Sequence, residues 1–170
     1  MIEIKAGQIP GNVFEMISKE WMLISAGTPG SFNMMTASWG FMGEMWGRDT
    51  FEIVVRSERF TREFIDREGR FVVTFFPPSM REALQAMGTH SGRTFDKMHY
   101  AGLQPETLPT GQVTFCGAKL VIECEVVYHD KFDASKYVDK SILDEWYSPQ
   151  RGGLHERYYG RITRVWVPSV

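Results

Sequence analysis

The chain has 170 residues, with 19 basic and 21 acidic side chains and a formal net charge of −2. Hydrophobic residues at 43% and charged residues at 24% exclude a disordered chain, and the near-neutral balance excludes nucleic-acid binding through bulk charge. No apolar run approaches the roughly 20 residues of a membrane span, and Met1-Ile2-Glu3-Ile4-Lys5 lacks an apolar signal core. A cytoplasmic protein with no membrane partner is therefore expected.

The length predicts one domain over residues 1–170. Trp21–Ala26 reads as a first strand, closed by the turn cluster Gly27-Thr28-Pro29-Gly30. Asn33–Trp39 reads as a second strand, ended by Gly40. Thr50–Arg56 alternates and is β-branched, which predicts a third. A short helix is expected from near Arg59, with Phe60, Phe64 and Ile65 on one face and Gly69 as its stop. Arg70–Phe76 predicts a strand cut by Pro77-Pro78. Ser79 then caps a second helix, with Met80, Leu84 and Met87 inward and Gly88 at its end.

Residues 88–113 read mostly as loop. Ala118–Tyr128 predicts the longest strand, with Leu120, Ile122, Cys124 and Val126 alternating against charged or polar neighbours. A helix over Lys136–Trp146 and a last strand over Tyr158–Val167 complete the chain. Many strands, few short helices and no regular βαβ alternation predict a mainly β fold, a closed or nearly closed barrel flanked by helices. Cys116 and Cys124 form no C-x-x-C and are expected as reduced, mostly buried thiols.

Four stretches carry candidate chemistry. In Val55-Arg56-Ser57-Glu58-Arg59-Phe60-Thr61 a strand ends and a helix begins. Free amides, the Arg56 fork and the Ser57 and Thr61 hydroxyls make that junction an anion site. Read locally, Ser57 is equally a helix N-cap, with Arg56 and Arg59 solvated or paired to Glu58 and Glu63. In Asn33-Met34-Met35-Thr36-Ala37-Ser38-Trp39-Gly40, Thr36 and Ser38 share a strand face, and Ala37 and Gly40 admit a planar group. Gly88–Lys97, with Ser91, Gly92 and Arg93, forms a loop able to wrap a ligand. His155 precedes the last strand and titrates in a range suited to acid–base work. His90, His99 and His129 have no partners at metal spacing, so no metal is expected. G-x-S-x-G is absent, and no catalytic triad stands out.

Taken together, these segments resemble the flavin reductase-like family of FMN-binding split-barrel proteins, which includes flavoredoxins. The marks are Asn33-x-Met35-Thr36-Ala37-Ser38-Trp39-Gly40, Val54-Val55-Arg56-Ser57-x-Arg59-Phe60-Thr61, Ser91-Gly92-Arg93-x-x-Asp96-Lys97, and His155 with Gly160 five residues on. The resemblance implies a six-stranded Greek-key split β-barrel that dimerises, with FMN near the subunit interface. By position it implies that Asn33, Met35, Thr36, Ala37, Ser38 and Trp39 lie along the flavin. Arg56, Ser57 and Thr61 would hold its phosphate, and the loop with Ser91, Gly92, Arg93 and Lys97 would close over it. His155 falls on the nicotinamide or substrate side.

The activity implied is that of an oxidoreductase moving a hydride from NADH or NADPH to flavin N5. The alternative is a flavoredoxin-type carrier that keeps its FMN and exchanges electrons with a protein partner. Leu154 stands where the family often has Asp, and Arg161 where an acidic residue often follows the glycine. Both change the donor side and lean towards the carrier. A pyridoxamine-phosphate-oxidase-like barrel shares the cofactor but not these motifs.

Overall fold

In the computed structural model, residues 1–169 are described; Val170, the last residue of the expected domain, lies outside the described residues. In chain order the elements are β1 (Ile2–Ile4), α1 (Val13–Glu15) with a π-helical turn over Met16–Glu20, β2 (Met22–Thr28), β3 (Ser31–Ala37), β4 (Gly40–Met45) and β5 (Arg48–Arg56). There follow α2 (Thr61–Glu68), β6 (Arg70–Phe75), α3 (Arg81–Thr89), β7 (Pro105–Thr107), β8 (Val113–Phe115), β9 (Leu120–Lys131), α4 (Ser141–Trp146) and β10 (His155–Val167). The mainly β expectation holds, with ten strands among the described residues in place of six. Eight form one antiparallel sheet in the order β3-β2-β6-β9-β10-β5-β4, with β1 also on β10; β7 and β8 pair separately.

The long β10 organises the sheet. Its first half pairs with β5, its whole length follows β9, and its end takes up β1. The sheet curls so that alternate side chains enclose an inner core: Met22, Ile24, Phe51, Ile53, Phe71, Val73, Ile122 and Cys124 are all buried there. The opposite face is covered too. Leu23, Met34, Val72 and Val121 pack there with Leu84 and Met87 of α3 and with Trp166. A sheet buried on both faces loses the alternation that a half-solvated strand shows.

That second layer explains a correction. Glu123 reads from its neighbours as an outward polar residue, yet it is fully buried. Its Oε1 accepts from Trp166 Nε1 at 2.7 Å, and its Oε2 accepts from Gln112 Nε2 at 2.7 Å and from the Thr110 hydroxyl. One carboxylate thus ties the loop before β8 to the last strand.

Other boundaries also move. β2 continues to Thr28, β3 stops at Ala37, and Gly40 opens β4 instead of closing β3. β4 escapes sequence reading because its hairpin turns on Trp46-Gly47, both with positive φ (57° and 70°), where Asn-Gly is the usual signal. Ser79 makes no cap hydrogen bond, and Pro78–Met80 form a 3₁₀ turn ahead of α3. Gly88 does not end α3; it sits where that helix passes Thr36 of β3. The helix expected over Lys136–Trp146 shortens to α4, and the last strand already begins at His155. Cys124 is buried as expected, whereas Cys116 is exposed. Among the described residues no helix is long and apolar enough to cross a membrane.

Glu123→Ala strands the Trp166 N–H, the Gln112 amide and the Thr110 hydroxyl in the interior. It is expected to lower unfolding stability by about 3 kcal/mol, measured by urea unfolding followed by far-UV circular dichroism.

Candidate functional site

The site forms where strand ends from both halves of the sheet meet. β3 runs into the Ser38-Trp39 link and carries Asn33, Met35, Thr36 and Ala37 along its length. β5 ends at Arg56, directly across from His155 at the start of β10. The turn after β5, the end of α3 and the segment after α4 close the sides. The result is one cleft in two confluent halves of about 290 and 300 Å³, which share Met35, Arg56, Arg59 and Arg151 as lining.

The first half is lined by Thr36, Ala37, Ser38, Trp39 and His155, with Val54 and Trp146. Its wall is aromatic: Trp146 meets Trp39 edge-on at 4.9 Å between centroids, and the His155 ring lies 5.1 Å from Trp39. The second half is lined by Asn33, Thr61, Ser91, Gly92 and Lys97, with Glu58 and Phe60. Asn33 Nδ2 donates to Thr61 Oγ1 at 2.8 Å, which joins β3 to the start of α2. Gly92 packs on the Asn33 side-chain amide.

Twelve of the residues singled out from sequence therefore line one cleft, and two do not. Ser57 turns away: its hydroxyl donates to the Leu154 carbonyl at 3.1 Å. The helix expected just after Ser57 begins only at Thr61, because Arg59 N–H closes a turn onto the Arg56 carbonyl. Arg93 is exposed, pairs with Glu63 and lies over the Phe60 ring at 4.5 Å. Sequence reading missed Arg59, Trp146 and Arg151. Arg59 lay inside a quoted motif without a role, and the other two sit in an aperiodic segment.

The cleft is strongly basic. Arg56, Arg59 and Arg151 form no ion pair among the described residues, so the local reading that paired the first two with Glu58 and Glu63 does not hold. Backbone carbonyls hold two of them instead. Arg56 donates from Nη1 to Gly153 O at 2.9 Å and from Nη2 to Trp146 O at 3.1 Å. Arg59 Nη2 donates to Gly88 O at 2.7 Å. Lys97 is buried and its Nζ donates to Met34 O at 2.9 Å and Met87 O at 2.8 Å. Burial, with Arg59 nearby, lowers the Lys97 ammonium to about 8.

Glu58 is the one carboxylate in the lining, and it accepts from Gly153 N–H at 3.2 Å. Gly152 packs against that carboxylate at φ +98°, a left-handed conformation that favours glycine. His155 is buried, and its Nδ1 lies 2.9 Å from the Tyr147 hydroxyl. Burial first, then the charges of Arg56 and Arg59, lower its pKa to about 4, so the ring is neutral at pH 7. An aromatic wall beside guanidinium groups without ion-pair partners suits an aromatic ligand that ends in an anion.

A family model, that of the flavin reductase like domain, matches residues 15–170. The fold is similar to that of an FMN-binding protein from Thermus thermophilus with bound p-hydroxybenzaldehyde. That match has 20% identity, covers 99% of this chain and 83% of the other, and has a TM-score of 0.70. Flavoredoxin from Methanosarcina acetivorans is similar at 18% identity over 88% of this chain and 69% of the other, with a TM-score of 0.67. The styrene monooxygenase flavin reductase of Pseudomonas putida S12 is similar at 19% identity, 89% and 80% coverage and a TM-score of 0.65. At these identities the likeness is one of fold. No curated protein matches the chain in sequence. With residues 15–170 matched by its model, the chain belongs to the family of the flavin reductase like domain.

Proposed function

We propose that this chain is a single-domain FMN-binding oxidoreductase whose flavin is reduced by NADH or NADPH. The observation that carries the reading is the cleft itself, with three unpaired guanidinium groups beside an aromatic wall. The fit is chemical. An FMN phosphate carries close to two negative charges, and the basic half offers Arg59, Arg56 and the Lys97 ammonium. Each charge-assisted bond contributes about 1.5–3 kcal/mol. Two or three of them, with burial of a ring face, support micromolar or tighter binding.

Bound flavin supplies the redox chemistry, accepting a hydride at N5 from a reduced nicotinamide. The protein's part is placement. Arg59 and Arg56 fix the anionic end, and Ala37 and Ser38 leave room for a planar ring. Trp39 and Trp146 exclude water from the aromatic half. His155, neutral and buried, serves as a hydrogen-bonding group rather than an acid. A second reading, a carrier that passes electrons to a protein partner, draws on one observation. The segment carrying Trp146 is tied down over the aromatic half by Arg56, which narrows access for a nicotinamide.

A homodimer forms part of the proposal. Phe41, Met45 and Trp46 on the β4–β5 hairpin are exposed, and Trp46 lies 6.2 Å from Tyr128 and 5.8 Å from Tyr159. That apolar surface is the one a second subunit would cover. The cytoplasm is the proposed compartment.

Arg59→Ala and Arg56→Ala should each weaken FMN binding at least about tenfold in a fluorescence titration, as the loss of one charge-assisted bond requires. Unchanged affinity in both would remove the phosphate assignment. Binding should also weaken as pH rises through about 8, where Lys97 loses its proton. The sign for folding is opposite. Burying the ammonium costs stability below about pH 8, and the cost is relieved as pH rises towards the ordinary 10.5. Both dependences should vanish in Lys97→Met.

Anaerobically, FMN-loaded protein should bleach in its visible band on addition of NADH or NADPH. Bleaching only with dithionite would select the carrier reading, and failure to retain flavin at micromolar protein would overturn both.

A further inference from the structure

His155 holds its place through one nitrogen only. Nδ1 lies 2.9 Å from the Tyr147 hydroxyl, while Nε2 has no protein partner among the described residues and the ring lines the cleft. The two rings meet edge-on, 5.5 Å apart between centroids. A phenol has a single proton, and in a half-buried setting that proton is placed on an acceptor. Among the described residues, Nδ1 is the one acceptor within hydrogen-bond distance of Tyr147 Oη. The Tyr137 hydroxyl is the other group near Tyr147, its ring edge-on at 5.9 Å; among the described residues it is buried with no partner within hydrogen-bond distance, and its own proton can turn towards the Tyr147 oxygen, which leaves the Tyr147 proton for Nδ1. Donation from Tyr147 to Nδ1 leaves the imidazole proton on Nε2.

The geometry points to Tyr147 as the positioning residue that fixes His155 in its Nε2–H tautomer, so that the cleft offers a neutral donor to a carbonyl or carboxamide oxygen. The opposite tautomer would strand the phenol proton and turn a bare lone pair towards the ligand. The charged form is opposed from the elements packed on the ring. Arg56 faces it across the strand pair and Arg59 from the turn beyond, and Trp39 and Tyr147 bring no negative charge. Tyr147 keeps its proton as well, since burial raises its pKa well above the ordinary phenol range.

Two oxygens have the required chemistry: the carboxamide of a nicotinamide and a ring carbonyl of the flavin. Which of them is recognised rests on the hydride-transfer reading above; the tautomer does not.

The test has two arms. In the full chain labelled with ¹⁵N-histidine, the His155 signals are identified by their loss in His155→Gln. At pH 7 they should show a protonated Nε2 and an unprotonated Nδ1, and Tyr147→Phe should shift them to a mixture of tautomers. A wild-type Nδ1–H form, an imidazolium, or an unchanged spectrum in Tyr147→Phe would overturn the assignment. The second arm reads the ligand. A KM for NADH or NADPH raised about fivefold in Tyr147→Phe, with kcat and flavin affinity unchanged, assigns the donor to the carboxamide; that is the size of one neutral hydrogen bond. Flavin affinity weakened by the same factor assigns it to the flavin carbonyl, and no change in either overturns the donor role. If neither nucleotide reduces the wild-type protein, the hydride reading falls while the spectra still decide the tautomer.

Discussion

Three cations at the centre of this protein, Arg56, Arg59 and Lys97, are held by backbone carbonyls rather than by carboxylates. The difference is physical. A carboxylate neutralises its partner, whereas a carbonyl dipole orients a charge and leaves it in place. Holding charges of one sign together in a half-buried cleft carries a desolvation cost and a Coulomb cost, and the downward shift of Lys97 reflects burial first and the nearby Arg59 second. An anionic ligand relieves that cost. The remainder of the fold can be read as the frame that brings five carbonyls, from β3, α3 and the segment before β10, to the right places.

β10 makes the frame possible. Its first residue, His155, stands opposite Arg56, so the cleft chemistry begins where strand pairing begins. Its far end carries Trp166, whose indole N–H reaches the buried Glu123 on β9. Inner and outer cores are thus joined through one strand pair. The aromatic and basic halves of the cleft inherit their rigidity from a sheet that is packed on both faces.

Much of this was legible in the sequence, and the failures have identifiable causes. The β-branched alternation of Thr50–Arg56 and Arg70–Phe76 marks two strands because their side chains sort by face, and the structure extends the first to Arg48 and ends the second at Phe75. β4 was missed because its turn places Trp46, a side chain with no turn signature, at positive φ. The burial of Glu123 has no local sign in the sequence, because Trp166, Gln112 and Thr110, which satisfy its carboxylate, are recognisable as its partners only in the fold. In the site, the two motifs on β3 and after β5 marked the right elements. They did not distinguish Ser57, whose hydroxyl serves the chain itself, from Arg59, which faces the ligand space. Trp146, Tyr147 and Arg151 carry no periodic signal at all. The segment they sit on is held at both ends by contacts about ninety residues away in sequence, Trp146 O to Arg56 and Gly153 N–H to Glu58.

The strap from Trp146 to Gly153 draws on the same guanidinium that faces the cleft. Arg56 divides its donors between two strap carbonyls and the ligand space, and Gly152 turns the strap at a positive φ beside Glu58. Strap order and anion occupancy are therefore linked variables. Whatever free energy an anion gains or loses through the strap, the strap gains or loses through the anion, by the reciprocity of thermodynamic linkage. Sequence changes at the exposed strap positions Pro149 and Gln150, which do not line the cleft, then tune how long a ligand resides.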